Sequence, residues 1–389
     1  VVDQDEVVGH AVRAVYMYSG MADVAKETND KKLKKACKKL WENLTQKRMY
    51  VTGGIGPTHH NEGFTFDYDL PNETAYAETC ASIALANWAH RMFHMEPNSE
   101  YIDVLERTIY NGIISGLNLN GDRFFYSNRL AALPKEIEAN PHGFSLQRQP
   151  WFDVACCPTN IVRFLPSIPG FIYSKNNAGV SINLYIQSSV VINFKDAEVK
   201  INQKNTQPWD DKCTIEIDSK YEKDIKLYLR IPHWSKRIKV KINNKLQKVS
   251  ILKGYASLSI PANKKSKLDV DLGMDINIIK SNPDVRQNFG KLAVQRGPIV
   301  YCMEEHDNGP DLHKILINKK SLETKNGLLN NYKYTFISGI GKKAEKSDWN
   351  KKLYSKDTIE KYKRKKIKLI PYFLWANRKV GEMKIWFEN

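Results

Sequence analysis

The chain has 389 residues, 42% of them hydrophobic, and a formal net charge of +17. That is enough for two or three domains with a sizeable core, and no apolar run approaches the roughly 20 residues of a membrane span. The lysines behind the charge are spread over 31–39, 195–204, 236–248 and 342–368. They form no single arginine-rich, aromatic-laced face, which argues against nucleic acid as a partner.

Six cysteines (Cys37, Cys80, Cys156, Cys157, Cys213 and Cys302) are too sparse for a disulfide scaffold. Unpaired thiols point to a reducing compartment such as the cytoplasm, or to protection by a metal. The first residue is not Met, and Val1–Val8 reads like the interior of a longer chain, so upstream sequence is expected.

Residues 1–175 read as helical. Val8, Ala11, Val12, Val15 and Ala22 follow helical spacing. Asn29 or Asp30 opens a second helix, Lys31–Arg48, with Leu33, Ala36, Cys37, Leu40 and Leu44 as its apolar stripe; Cys37 there is a core residue. Tyr50–Asp69 is a Gly-rich polar loop, long enough to be functional. Helices are expected over Asn72–His94 and Ser99–Leu117, a turn at Asn118–Gly121 and a short strand at Arg123–Ser127. A polar loop with a Pro–His–Gly turn is expected over Lys135–Gln149, followed by a helix starting at Pro158. About six helices in series, with loops at one end, suit part of an (α/α)6 barrel.

From about Val180 the period changes to two. INLYIQSSVVINF, CTIEIDS, IKLYLRIP, IKVKIN and YASLSIP alternate apolar and polar residues, as half-buried strands do. A break near Ser281–Pro283 precedes LAVQRGPIVYCM and the closing MKIWF. The expected division is 1–175 helical, 176–278 a β-sandwich and 279–389 a second β-sandwich. A homodimer through the β-domains is an expectation of the same kind.

Chemistry concentrates in two segments. In WFDVACCPTN, Cys156 and Cys157 precede Pro158, a residue suited to the first position of a helix. Both thiols are expected on a bend feeding a helix N-terminus, whose dipole favours thiolate. In AETCA, Glu78 and Cys80 are two apart. They share a face only if the backbone departs from helix at Glu78. Three thiols and one carboxylate would make a four-ligand zinc site, but the spacing equally fits buried helix cysteines and a capping glutamate. Glu62, Asp67, Asp69, Glu73 and Glu78 offer carboxylates for acid–base work on sugars, though acids are also common in loops and first helical turns. Nearby Phe64, Phe66, Tyr68, Tyr76, Tyr126 and Trp151 suit sugar rings or a core. The pair His59 and His60 reads as solvated.

The run YVTGGIGPTHHNEGFTFDYDLPNETAYAETCAS, with VLERTIYNG, FFYSNRL and WFDVACCPTNIVRF, resembles glycoside hydrolase family 127, the β-L-arabinofuranosidases. LYLRIPHW, VQRGPIVYCMEEHDN, IPYFLWANR and MKIWF resemble its C-terminal β-domains. The resemblance implies Zn²⁺ held by Glu78, Cys80, Cys156 and Cys157. It implies Cys156 as nucleophile, Glu62 as general acid/base, and His10 and Tyr126 lining the sugar site. Glu106 is either a support of that site or a buried helix acid with a structural partner. The family's longer N-terminal part is missing here. The implied activity is retaining hydrolysis of β-L-arabinofuranosides, on a small-molecule or oligosaccharide substrate. The alternatives are Glu78 as nucleophile with a structural zinc, or an inactive carbohydrate-binding relative keeping the zinc site.

Overall fold

A computed structural model describes residues 1–139, 145–176, 179–194, 197–220, 222–345, 349, 353, 354, 356 and 361–389. The helical part opens with α1, Ala11–Glu27, capped by the His10 side chain, which accepts from the Val12 N–H. Its buried face is Ala11, Ala14, Val15, Tyr18, Ala22 and Ala25, spaced for one side of a helix; Val8 lies before it and is exposed. Helix α2, Lys31–Lys47, is capped by Asp30, whose carboxylate accepts from the Lys32 and Leu33 N–H groups. Its buried stripe holds Ala36, Leu40, Leu44 and a fully buried Cys37.

Helix α3, Thr79–Met95, is buried on nearly every side and packs against α1, α4 and α6. Trp88, with no exposure, lies 5.1 Å from both the Tyr18 and Trp41 rings at the centre of the helical core. The helix starts at Thr79, not Asn72. Ala77 has φ +39° and Glu78 φ −57°, ψ 137°, so a left-handed residue and then an extended one lead into it. Helix α4, Ser99–Arg107, runs on into a π-helical turn at Thr108–Ile113 and a 3₁₀ turn at Ile114–Gly116. There Asn111 Nδ2 donates to the Arg107 and Pro298 carbonyls at 2.8 and 2.9 Å.

The expected strand at Arg123–Ser127 is present only as single bridges: Phe124 to Leu117 and Gln149, and Ser127 to Glu78. Helix α5, Pro134–Ala139, stands where a loop was expected; the Pro–His–Gly turn, 141–143, lies outside the described residues. Helix α6 is Cys156–Phe164. It begins two residues before Pro158, so the vicinal cysteines are its first two residues. Pro158 still falls in the first turn, where its missing N–H has no intrahelical partner to lose.

Among the described residues the β part forms three sheets. A six-stranded sheet runs in the order 188–194, 197–205, 212–219, 265–271, 239–242 and 245–246. A five-stranded sheet runs 250–252, 255–260, 225–230, 179–182 and 173–176. The two share one core that includes Val180, Ile201, Ile215, Leu227, Leu258 and Leu268. The apolar stretch 182–194 is therefore divided between two sheets.

The third sheet has ten strands. Lys291–Arg296 pairs with Phe387–Glu388 and also with Ile299–Glu304, which closes the strand path on itself. The closing strands thus form one continuous sheet. Ala131–Ala132, from the helical part, joins its edge against Met383–Lys384. No helix among the described residues is long and apolar enough to cross a membrane.

Two arginines bolt the parts together. Arg230, wholly buried in the strand Ile225–Arg230, donates to Asp103 and Glu106 on α4, and Trp234 Nε1 donates to Glu106 at 2.9 Å. Glu106 is thus the buried acid with a structural partner. Arg148 donates to the carbonyls of Ser115 and Trp375 at 2.7 and 2.8 Å, its guanidinium 4.5 Å from the Phe125 ring.

Candidate active site

Glu78, Cys80, Cys156 and Cys157 meet in one cluster, their ligand atoms all within 4.8 Å of one another. The local backbone makes this possible. Because Glu78 sits outside α3, pinned by its bridge to Ser127, its side chain reaches the same point as Cys80 in the first turn of the helix. The first turn of α6 brings Cys156 and Cys157 against them.

Cys156 Sγ lies 3.7 Å from Cys157 Sγ and 3.4 Å from Glu78 Oε1, and Cys157 Sγ lies 3.5 Å from that oxygen. Tetrahedral zinc with bonds of about 2.3 Å to sulfur and 2.0 Å to oxygen needs S···S edges of about 3.8 Å and S···O edges of about 3.5 Å. The three edges among Cys156, Cys157 and Glu78 match, and Cys80 Sγ lies within 4.8 Å of each of them. Glu78 Oε2 is buried without a hydrogen-bond partner, an unsatisfied acceptor of the kind that marks a missing ion or water. Donor set, spacing and orphaned oxygen therefore fit a metal ion.

The electrostatics agree. Burial, then the neighbouring Cys156 and Glu62, push the Glu78 carboxyl up to about 8. Burial likewise raises Cys157 well above the usual thiol range, and the bond to Cys156 raises Cys80. Cys156 moves the other way. Hydrogen bonds from Cys157 and Cys80 outweigh its burial and hold it far below an ordinary thiol. Its sulfur also lies 2.9 Å from the Tyr126 hydroxyl. The cluster by itself thus concentrates its negative charge on the one sulfur that is partly exposed.

Beside it stands Glu62. Asn61 and Glu62 both adopt left-handed backbone, φ 53° and 45°, a conformation that costs an L-residue energy and is held only by its surroundings. The surroundings are a bridge from Gly63 to His10 and the Phe64 N–H bond to Gly9 O at 2.9 Å. Glu62 Oε2 lies 2.9 Å from His10 Nε2, and Oε1 accepts from the Tyr76 hydroxyl at 2.6 Å. Ligand atoms of His10, Glu62 and Glu78 also fall within 4.8 Å of one another. His10 Nδ1 accepts from the Val12 N–H at 3.2 Å, so in the neutral ring Nε2 carries the proton and donates to Glu62.

The structure brings His10, Glu62, Glu78, Cys80, Tyr126, Cys156 and Cys157 to one place. Of the two other loop acids, Asp67 is elsewhere: it accepts from Arg48, Lys47 and Asn43 at 2.7, 2.8 and 3.1 Å and fastens the loop to α2. His60 is exposed, and so is His59, its ring edge-on to Tyr76 at 5.4 Å. Phe66 and Trp151 are exposed as well. Tyr76 entered the sequence reading only as one aromatic among several. No local pattern singles it out: the left-handed Ala77 breaks any regular alternation between Tyr76 and Glu78, and Cys80 already lies in α3.

Models of three consecutive domains match the chain: the β-L-arabinofuranosidase GH127 catalytic domain over residues 1–170, the GH127 middle domain over 179–274 and the GH127 C-terminal domain over 276–388. A non-reducing end β-L-arabinofuranosidase of Bifidobacterium longum subsp. longum is 34% identical over 98% of this chain and 60% of its own length. The crystal structure of a GH127 β-L-arabinofuranosidase from Geobacillus stearothermophilus T6 superposes with a TM-score of 0.96 at 41% identity, covering 100% of this chain and 61% of that one. A further GH127 β-arabinofuranosidase gives 0.89 at 37% identity, with 100% and 61% covered. The chain thus spans about three fifths of the length of these relatives. With three successive domain models covering it nearly end to end, the chain belongs to glycoside hydrolase family 127.

Proposed function

We propose that this chain carries the machinery of a retaining glycoside hydrolase that releases β-L-arabinofuranose from small-molecule or oligosaccharide arabinofuranosides. The observation that carries this reading is the meeting of three sulfurs and a carboxylate, at zinc-like spacing, beside a glutamate held at both oxygens. In this reading residues 1–175 are the C-terminal portion of an (α/α)6 barrel, followed by β-domains over 176–278 and 279–389.

Glu78, Cys80, Cys156 and Cys157 would hold Zn²⁺, which when bound keeps coordinated thiols deprotonated near neutral pH. The remaining chemistry belongs to the side chains. Cys156 Sγ attacks the anomeric carbon; a C–S bond forms as the glycosidic C–O bond breaks. Glu62 gives its proton to the departing oxygen. Water then attacks the same carbon, Glu62 takes its proton, and the C–S bond breaks. Two displacements return the original configuration. His10 and Tyr126 line the sugar and hold Glu62 and Cys156 respectively.

The test is Cys156→Ser in the full-length protein. Turnover of an aryl β-L-arabinofuranoside should fall by about 10³-fold or more with the fold retained, and zinc should be measurable in the wild-type protein by elemental analysis. A trapped sugar adduct, located by mass spectrometry, should sit on Cys156. An adduct on Glu78 would replace the nucleophile. Bound zinc with no arabinose release from any furanoside would favour a carbohydrate-binding relative with a structural metal.

A further inference from the structure

We infer that Tyr76 is a positioning residue that makes Oε1 of Glu62 the oxygen that carries and returns the catalytic proton. This rests on the acid/base reading of Glu62 and adds the atom and the partner to it.

The two donors on Glu62 are not equivalent. His10 is locked. Its Nδ1 is committed as acceptor of the Val12 N–H at the start of α1, so its Nε2 can face Oε2 only as a donor. A proton on Oε2 would meet that N–H head on. Tyr76 is reversible. Its hydroxyl donates to Oε1 at 2.6 Å when Glu62 is a carboxylate, and by rotating about its C–O bond it accepts when Oε1 carries the proton. The ring itself cannot retreat: Tyr76 is 4% exposed, with its backbone N–H on the Pro57 carbonyl at 3.3 Å and its ring 6.2 Å from that of Tyr126. Oxygen Oε1 is therefore the site where protonated and ionised Glu62 each keep a partner.

The bookkeeping of the step is simple. In the first displacement the Oε1–H bond breaks and the proton goes to the leaving oxygen. The carboxylate left behind gains the Tyr76 O–H as donor. In the second, a water proton returns to Oε1 and Tyr76 turns back. The Tyr76 hydrogen bond thus strengthens as charge develops on Glu62, so it acts on the transition state more than on the bound substrate.

The test uses Tyr76→Phe, which keeps the ring, and two substrates that differ in leaving group: an activated aryl arabinofuranoside that departs without protonation and an alkyl one that needs it. Losing a hydrogen bond to a developing charge should lower kcat on the alkyl substrate by about tenfold to a hundredfold. On the aryl substrate the first displacement should change less than about threefold, and KM for either should hardly move. Glu62→Gln is run beside it. If Glu62→Gln retains the alkyl activity, the acid/base reading falls, and this inference with it. If Glu62→Gln loses that activity while Tyr76→Phe loses nothing, or loses both substrates equally, the inference alone is overturned. Should the Phe variant not fold, fluorotyrosine incorporated at position 76, with its stronger donor, should change alkyl and aryl rates by different factors; equal factors would overturn the inference.

Discussion

Replacing Arg230 with Met tests the claim that the helical part and the middle sheets are held by one buried ion cluster. Arg230 is 0% exposed and the Glu106 side chain 5%, so solvent screening gives no relief. Burial pulls the Arg230 guanidinium down, but Glu106 and Asp103 outweigh it and hold it above its ordinary range. Burial pushes Glu106 up while Arg230 and the Trp234 N–H pull it back. Met fills the stem of the arginine but leaves Glu106 with a single donor, Trp234 Nε1 at 2.9 Å. Removing one partner of a buried pair costs about 3–5 kcal/mol, most of it the unpaired charge left behind. The assay is urea unfolding followed by tryptophan fluorescence.

Two signatures separate this account from simple loss of packing. The double variant Arg230→Met, Glu106→Gln should recover about half of the deficit or more, because the deeper acid is then neutral and only the less buried Asp103, 18% exposed, is left without its arginine. The single variant's deficit should also shrink as pH falls from 8 towards 5. With Arg230 gone, the folded carboxyl titrates above its unfolded value of about 4.3. The folded state then binds more protons than the unfolded one in that window, and stability falls as pH rises through it. A deficit below about 1 kcal/mol, or one equal at pH 5 and pH 8, would refute the reasoning.

Other outcomes follow from the helical part. Burial, and then the nearby His94 and Arg91, lower His90 to about 3, so below about pH 6.5 the unfolded chain takes up a proton that the folded one refuses. Stability is therefore lost as pH falls towards 3, by up to about 1.4 kcal/mol per pH unit, and His90→Gln should flatten that slope between pH 4 and 6.5; an unchanged slope would assign it elsewhere. A Cβ at Gly63 would sit 2.6 Å from the Gly9 carbonyl oxygen, on the joint that turns Glu62 inward. Gly63→Ala should lower kcat by about tenfold to a hundredfold through misplacement of Glu62, with zinc content unaltered; a loss of zinc instead would mean that the joint supports the cluster.

The helices were legible where one face alone decides them. The stripes of α1 and α2 and the Asp30 cap are local facts, and the structure has them except for Val8, which lies before α1 and is exposed. The start of α3 was not legible, because nothing in NETAYAE announces that Ala77 takes φ +39°; the constraint comes from Glu78 bridging Ser127, 49 residues on. The start of α6 was placed at Pro158 because proline marks a first turn, but that rule does not say which residue of the turn it is. Alternation revealed strands without revealing partners. Residues 182–194 look continuous yet serve two sheets, and Ala131–Ala132 pair with a strand 252 residues later. The loop Tyr50–Asp69 stands out in the sequence by its length and polarity, while its anchor, Asp67 on Arg48, depends on a long-range contact. Spacing alone left the cysteines between core and ligand. The family motifs singled them out, and the short distances among Cys156, Cys157 and Glu78 are what favour a ligand role.

The charge of the whole chain makes this cluster the more telling. A protein with net charge +17 has cations to spare for any buried acid, and uses them: Asp67, Asp103, Glu106, Glu304 and Asp307 all hold arginine or lysine. At the site the pattern reverses. The groups that most strongly shift Glu78, Cys80, Cys156 and Cys157 are other acids, other thiols, tyrosine and asparagine, with no lysine or arginine among them. Left alone, the cluster can keep one sulfur charged only by keeping its neighbours protonated, with Glu78 forced up to about 8. A dication held here would let all four groups ionise together, whereas a lysine in its place would satisfy one of them. Acids and thiols that mainly push on one another, inside a positively charged protein, are the electrostatic setting that suits such an ion.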